Sequence, residues 1–340
     1  MSNARKLADN LPREGSLSGR NVLINGAMNI AQRATSASGV GTNAGAYHTL
    51  DRWKVYTNNT AGRLTMSQSS DAPSGFVNSL KFDCTTATSS AAADTALILI
   101  TRFEGQDLQR FGKGTSAAKE FTISFYVKGD ANATYGCELV DHDNSRQITK
   151  QFSVTTTWTR VVITFPADTT GAFDDDNNLS VSLNFWLHAG SNHNGGTLNS
   201  TSWAANVTAN RVSSSQTSFF DSTNREFYLT GVQLEVGNKA TPFEHEPVGV
   251  TLNKCLRYYF ESKTSSSLPY DYATQYISTH RFYKHWYNVP MRATPTVTTT
   301  SEGGAPSHYN PNEYHWKGYV AAAASASSAR LTSFVADAEF

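Results

Sequence analysis

A period of two dominates this sequence and limits what it can fold into. Phe121, Ile123, Phe125 and Val127 alternate with Thr, Ser and Tyr. Val161-Ile163-Phe165 and Leu179-Val181-Leu183-Phe185-Leu187 repeat the pattern. Residues two apart share one face of a strand, so each run has an apolar and a more polar side. Shorter runs do the same: Leu64-Met66, Leu80-Phe82-Cys84, Leu97-Leu99, Tyr135-Cys137-Leu139 and Phe152-Val154. Tyr47 to Tyr56 joins them, with Trp53 and Val55 facing in, and Val22-Ile24 starts a strand that breaks at Asn25-Gly26. Clusters of Gly, Asn, Asp, Ser and Thr separate these runs, and helical periodicity is nearly absent; Gly105 to Phe111 allows one turn. Many short strands without crossover helices exclude a doubly wound α/β fold and predict an all-β, jelly-roll β-sandwich.

The stretch Phe227 to Pro247 sets the domain boundary. Phe227 and Leu229 alternate with Tyr228 and Thr230, and Val232, Leu234 and Val236 resume the alternation after Gly231. A lone glycine in a strand pattern predicts a bulge or a close backbone approach. Gly237-Asn238 then turns the chain, which leaves extended through Thr241-Pro242-Phe243. Three regions follow: a docking arm over 1–20, a jelly roll over 21–247, and a small β-domain over 248–340. The arm is polar, punctuated by Leu7, Leu11 and Leu17, and too thin in apolar residues to form a core. The third region opens with a helix over Thr251 to Glu261, capped by Thr251, with Leu252, Cys255, Leu256 and Tyr259 on one face. Strands return over Tyr276–Val289, Thr296–Thr299, Tyr314–Val320 and Leu331–Val335, around a low-complexity Ala/Ser tract from Ala321 to Ala329. With so modest an apolar content, this β-domain is expected to draw burial from neighbouring chains.

Composition narrows the function classes. Of 340 residues, 39% are hydrophobic and only 16% charged, so neutral Ser, Thr, Asn and Gly cover much of the surface, as in extracellular or virion β-proteins. With 28 basic and 28 acidic residues the net charge is zero, which offers no case for nucleic acid or an anionic membrane. Cys84, Cys137 and Cys255 are too few and too scattered for a disulfide framework or zinc site, and read as buried free thiols made in a reducing cytoplasm. No apolar run reaches membrane length and MSNARKLADN lacks a signal-peptide core, so release by lysis is expected, without membrane insertion.

Several phrases, taken in order, resemble a family of phage virion proteins. They are NVLINGAMNIAQR (Asn21–Arg33), TLDRWKV (Thr49–Val55), FEGQDLQRFGKGT (Phe103–Thr115) and FTISFYVKG (Phe121–Gly129). FYLTGVQLEVGNKATPFEHEPVG (Phe227–Gly249), CLRYYFE (Cys255–Glu261), MRATPTVT (Met291–Thr298) and FVADAEF (Phe334–Phe340) complete the set. The family is that of tail-fibre and related structural proteins of tailed phages, many of them marine. The resemblance implies a carbohydrate-binding-module-like jelly roll with a small C-terminal β-domain, carried on a virion as a homotrimer. The short arm departs from a fibre shaft and leaves room for a head-decoration protein.

Signals for chemistry are sparse. No G-x-S-x-G, H-E-x-x-H, P-loop or G-x-G-x-x-G motif occurs. Glu104, Glu120, Glu138, Asp141 and Asp143 offer carboxylates for a glycosidase pair, but sequence spacing cannot bring two together across strands. Asp168, Asp174, Asp175 and Asp176, beside Asn177 and Asn178, form the best candidate for a structural calcium ion, which takes six to eight oxygens. The cluster lacks the spacing of an EF-hand, and a polar hairpin loop explains it equally. The histidines lack zinc-ligand spacing. For binding, two aromatic runs read as loops: Tyr270, Tyr272 and Tyr276, and then His308, Tyr309, Tyr314 and Trp316. Sugars stack their C–H faces on such rings while Asn, Asp, His and Arg hold the hydroxyls. Strand aromatics such as Phe282 and Trp286 are expected inward, in the core or at a subunit interface. The expectation is a non-enzymatic virion protein, a tail fibre attaching to host surface polysaccharide and joined to other virion proteins through residues 1–20. A ligand-free adaptor or capsid-decoration protein is the alternative, with a glycan hydrolase behind it.

Overall fold

The computed structural model describes residues 19–42, 45–88, 92–262, 272–277, 280–302, 304–322 and 330–340. The docking arm up to residue 18, Tyr270 and the tract 323–329 lie outside the described residues. Two compact units divide between Glu246 and Pro247.

The first unit opens with β1 (Ser36–Val40), β2 (Ala46–Tyr47), β3 (Lys54–Asn58), β4 (Arg63–Ser69), β5 (Ser79–Thr86) and β6 (Ala96–Glu104). The single turn expected next is present as α1 (Gly105–Leu108) with a 3-10 turn behind it. Then come β7 (Phe121–Gly129), β8 (Ala133–Asp141), β9 (Arg146–Val154), β10 (Thr159–Phe165) and β11 (Leu179–Ala189). A short helix α2 (Ser191–Asn194), β12 (Ala204–Ala205) and β13 (Glu226–Val236) complete the unit. Among the described residues these strands form two antiparallel sheets, β1-β4-β5-β13-β7-β10 and β12-β9-β8-β11-β6-β3-β2. The alternating apolar positions face each other: Phe82, Phe125, Phe227 and Leu229 from one sheet meet Leu99, Tyr135, Phe152 and Phe185 from the other, all buried in one core. Phe125 packs edge-on against Phe152 and Phe185, each with centroids 5.1 Å away, the favoured geometry for aromatic pairs. This is an all-β sandwich of jelly-roll type, as the two-residue period predicts. Cys84, Cys137 and Cys255 are buried free thiols.

β13 lies in the middle of its sheet, between β5 and β7. Gly231 interrupts it twice over: pairing with β7 shifts between Thr230 and Gln233, and the glycine has φ +61. A Cβ there would lie 2.6 Å from the Phe76 ring, so bulge and close approach coincide. The expected strand at Val22–Ile24 is instead a connection hung on side chains. Asn21 Oδ1 accepts from the Leu234 N–H (3.0 Å), and the Val22 N–H donates to the Leu234 carbonyl (3.1 Å). Asn25, buried at φ 60, donates through Nδ2 to the carbonyls of Ile30 and Asp51 (2.9 Å each). Its Oδ1 accepts from the N–H groups of Asn29 and Ile30 (3.0 Å each). Such local bonds replace a ladder and account for the difference.

In the second unit, α3 spans Val248–Leu256, three residues earlier than the Thr251 cap predicts, with Pro247 as N-cap. It stops before the tyrosines because Tyr259–Glu261 forms β14, paired with the last strand; aromatic residues lose side-chain freedom in a helix and fit a pleated surface better. β15 (Tyr272–Ile277), β16 (His280–Trp286), β17 (Thr296–Glu302), β18 (Gly304–Tyr309), β19 (His315–Ala322) and β20 (Arg330–Asp337) follow. They make a three-stranded sheet, β14-β20-β17, and a four-stranded one, β15-β16-β19-β18. Tyr283, Trp316 and Val320 from the larger sheet pack with Val297, Leu331 and Phe334 from the smaller. The Leu331 N–H donates to the Tyr283 hydroxyl at 3.1 Å. Among the described residues no helix is long and apolar enough to cross a membrane.

Candidate functional site

The outer face of the four-stranded sheet carries the densest set of accessible rings in the second unit. In β16 and β19, Trp286 stands opposite His315, Lys284 opposite Lys317, and Phe282 opposite Tyr319, and β18 brings Tyr309 opposite Lys317. Directly opposed residues share a face. The intervening residues Tyr283, Trp316, Gly318 and Val320 fill the other face and are buried, so the named set points outward. Trp286 is 50% exposed and Tyr309 40% exposed. The Trp286 ring lies 4.7 Å from His315, and Lys284 Nζ sits 3.8 Å from the Trp286 centroid. Farther along, Tyr319 packs against His280 (4.8 Å) and Phe282 (5.7 Å), which continues the ring strip. At one end Tyr314 is 60% exposed, in a turn that Asn312 Oδ1 closes by accepting from the N–H groups of Tyr314 (2.9 Å) and His315 (3.0 Å). The result is a sheet face with rings toward both ends, Trp286 beside His315 and Phe282 beside Tyr319, and the two ammonium groups of Lys284 and Lys317 between them. It can stack a sugar face and hold its hydroxyls.

The candidates read from sequence distribute unevenly over this surface. Tyr309 lies on the outer face and Tyr314 at its edge. Trp316 does not belong to it: the side chain is 2% exposed and packs 5.0 Å from Phe334, because its strand parity points it into the core. His308 is exposed but stands opposite Gly318, on the face away from Tyr309. Neither run is mainly loop, since Tyr272 and Tyr276 lie in β15 and His308 and Tyr309 in β18. Tyr272 pairs with Tyr283 and Tyr276 with Arg281; their side chains lie outside the described residues. Trp286, Phe282, Lys284, Lys317 and Tyr319 were the residues missed. A signal existed in HRFYKHW: Lys284 is in phase with Phe282 and Trp286, and a lysine rarely faces a core.

The acidic cluster has other duties. Asp168 pairs with Arg146 through Nε (2.8 Å) and with Lys113 Nζ (3.2 Å). Burial would raise its carboxyl, but hydrogen bonds from Arg146 and Thr170 and the Lys113 charge outweigh that and hold it below the usual range. Asp174 and Asp175 are exposed, and Asp176 accepts from the Asn178 N–H at 2.9 Å. Among the described residues, no three His, Cys, Asp or Glu side chains converge as a metal site requires.

The carboxylates considered for hydrolysis are also engaged. Glu138, fully buried, accepts from Asn184 (2.8 Å), Trp186 Nε1 (2.8 Å) and both Nε and NH2 of Arg211 (2.8 and 2.7 Å). Asp141 lies 2.6 Å from Lys113 Nζ, itself fully buried. Glu104 accepts from Gln106 at 2.6 Å. A cavity of about 330 Å³ in the first unit is lined by Thr88, His188, Gln216, Ser218 and Asp221. His188 shares a 2.7 Å hydrogen bond with the Ser218 hydroxyl, and burial pushes its pKa down to about 4.

No protein-family model matches this sequence, and no curated protein matches it. Solved structures it is similar to include carbohydrate-binding modules and a phage tailspike domain. A CBM4 structure shares 13% identity at TM-score 0.32, over 62% of this chain and 97% of that one. The family 11 carbohydrate-binding module of the Clostridium thermocellum cellulase Lic26A-Cel5E shares 13% at TM-score 0.29, over 60% and 97%. The enzymatically active domain of tailspike protein 4 from bacteriophage CBA120 shares 12% at TM-score 0.33, over 64% of this chain but 21% of that one. Likenesses this distant carry no argument about function.

Proposed function

We propose that this chain is a non-enzymatic phage virion protein, a tail fibre that attaches to host surface polysaccharide through the outer face of the four-stranded sheet. The observation that carries the reading is Trp286, half exposed on the same sheet face as Tyr309, Tyr319 and Phe282. Trp286 presents a large ring at the surface, of the kind on which a sugar face stacks. The ordered phrases shared with tail-fibre proteins supply the setting: a homotrimer, mounted through residues 1–20, assembled in the host cytoplasm and freed by lysis. Weak contacts at each copy would add up through multivalency. The buried ion pairs of Glu138 and Asp141 support the non-catalytic part.

The test is binding of the purified chain to host cells and its competition with phage adsorption. Trp286→Ala should weaken binding about tenfold or more, as truncation of a central aromatic anchor does, at an unchanged melting temperature. Failure of the parent protein to bind or compete would leave the adaptor or decoration reading. Release of reducing sugar from the polysaccharide would restore the hydrolase.

A further inference from the structure

We infer that the sugar chain taken by this face is anionic, a polysaccharide bearing carboxylate or sulfate groups; the inference rests on the glycan-binding reading above. Strands β15, β16, β18 and β19 contain no Asp or Glu, whereas the outward face of β16 and β19 holds Lys284 and Lys317 together with His280 and His315. The chain as a whole is neutral, so this one-signed sheet is a local feature and not a property of the composition.

Its centre is a like-charge pair. Lys284 and Lys317 are directly opposed in the register of β16 and β19, on the outward face. Like charges directly opposed across two strands destabilise a sheet, and a nearby carboxylate would relieve them. Among the described residues neither has such a partner. Lys284 instead lies over the Trp286 ring at 3.8 Å. An acidic sugar fits the arrangement: its anionic group meets the ammonium groups of Lys284 and Lys317 while its ring lies against the exposed part of Trp286. A neutral sugar would leave the repulsion in place.

The experiment is affinity electrophoresis of the full-length protein in gels containing polygalacturonate or dextran sulfate. Each is set against an uncharged counterpart, carboxyl-reduced polygalacturonate or dextran. Retention is expected in at least one anionic polymer and not in its counterpart. It should decline as sodium chloride rises from about 50 to about 500 mM, as the interaction is screened. The double variant Lys284→Ala, Lys317→Ala should lose about tenfold in affinity, and Lys317→Arg should restore most of the single loss. The polygalacturonate and dextran sulfate arms separate a carboxylate from a sulfate ligand.

Equal retention by the uncharged polymers would overturn the anionic preference and leave glycan binding standing. No retention by any polymer would remove both. Tighter binding of poly(dT) would mean a nucleic acid partner. Dissociation of an oligomer by Trp286→Ala, seen in sedimentation, would make the face an interface between copies. Either of these last results also overturns the inference.

Discussion

Gly231 shows how much one residue can fix. Its φ of +61 belongs to a region that L-residues enter at a cost, and its missing Cβ leaves room for Phe76, which also touches Tyr126 and Phe243. Gly231→Ala should therefore destabilise the first unit by about 2–4 kcal/mol, from backbone strain plus overpacking, read as a lowered urea midpoint. This residue was legible in the sequence because the alternation on either side of it is unambiguous. Asn25 was half legible: Asn-Gly announces a turn, but nothing local says that its amide will be buried and bonded to Asp51, 26 residues away. Trp286 faces out and Trp316 faces in, the reverse of the sequence expectation. Each sits in an aromatic-rich run, where hydrophobicity alone cannot separate the two faces; the phase of Lys284 and Lys317 does.

Between elements, the buried cluster joining β8, β9 and the segment around Lys113 and Asp168 fastens one end of the second sheet. Lys113 Nζ meets Asp141 and Asp168 and donates to the carbonyls of Thr170 and Gly171 at 2.8 Å each. Lys113→Met removes the cation and leaves Asp141 without its counter-charge. A loss of about 3–5 kcal/mol is expected in chemical denaturation, and adding Asp141→Asn should recover part of it in a double-mutant cycle. These ion pairs were not legible in the sequence, which shows the carboxylates together but places the lysine 55 residues from Asp168. Element existence was the readable quantity: apart from Val22–Ile24, the alternating runs of the first unit became strands, and α1 appeared at Gly105. Boundaries were less so. The helix start moved from Thr251 to Val248 because Pro247 pre-sets the entry, a backbone constraint stronger than a hydroxyl cap.

Across the molecule, buried histidines contribute to the response to acid. Burial lowers the pKa of His188 to about 4 and also lowers His142 and His193. Between pH 6.5 and 4 the unfolded chain binds a proton at His188 that the folded chain does not, so stability falls as pH drops through that window. Above pH 6.5 both states are neutral at this site and the term vanishes. His188 alone accounts for up to about 3 kcal/mol between these limits. His188→Gln should flatten that part of a plot of unfolding free energy against pH, and an unaltered slope would assign the effect elsewhere. The placement of β13 has a further consequence, for synthesis. The strand that completes the first sheet is the last one made in its unit, and the Asn21 amide N–H finds Glu244 only 223 residues later. Until then the nascent chain carries two open sheet edges, at β5 and β7, and its longest-range contacts are unmade, which slows folding and invites association. A chain ending before Glu226 should collect in the insoluble fraction, and one running through Glu246 in the soluble fraction. Ribosome pausing within the 20 residues between these points would be the most dangerous moment in the life of this protein.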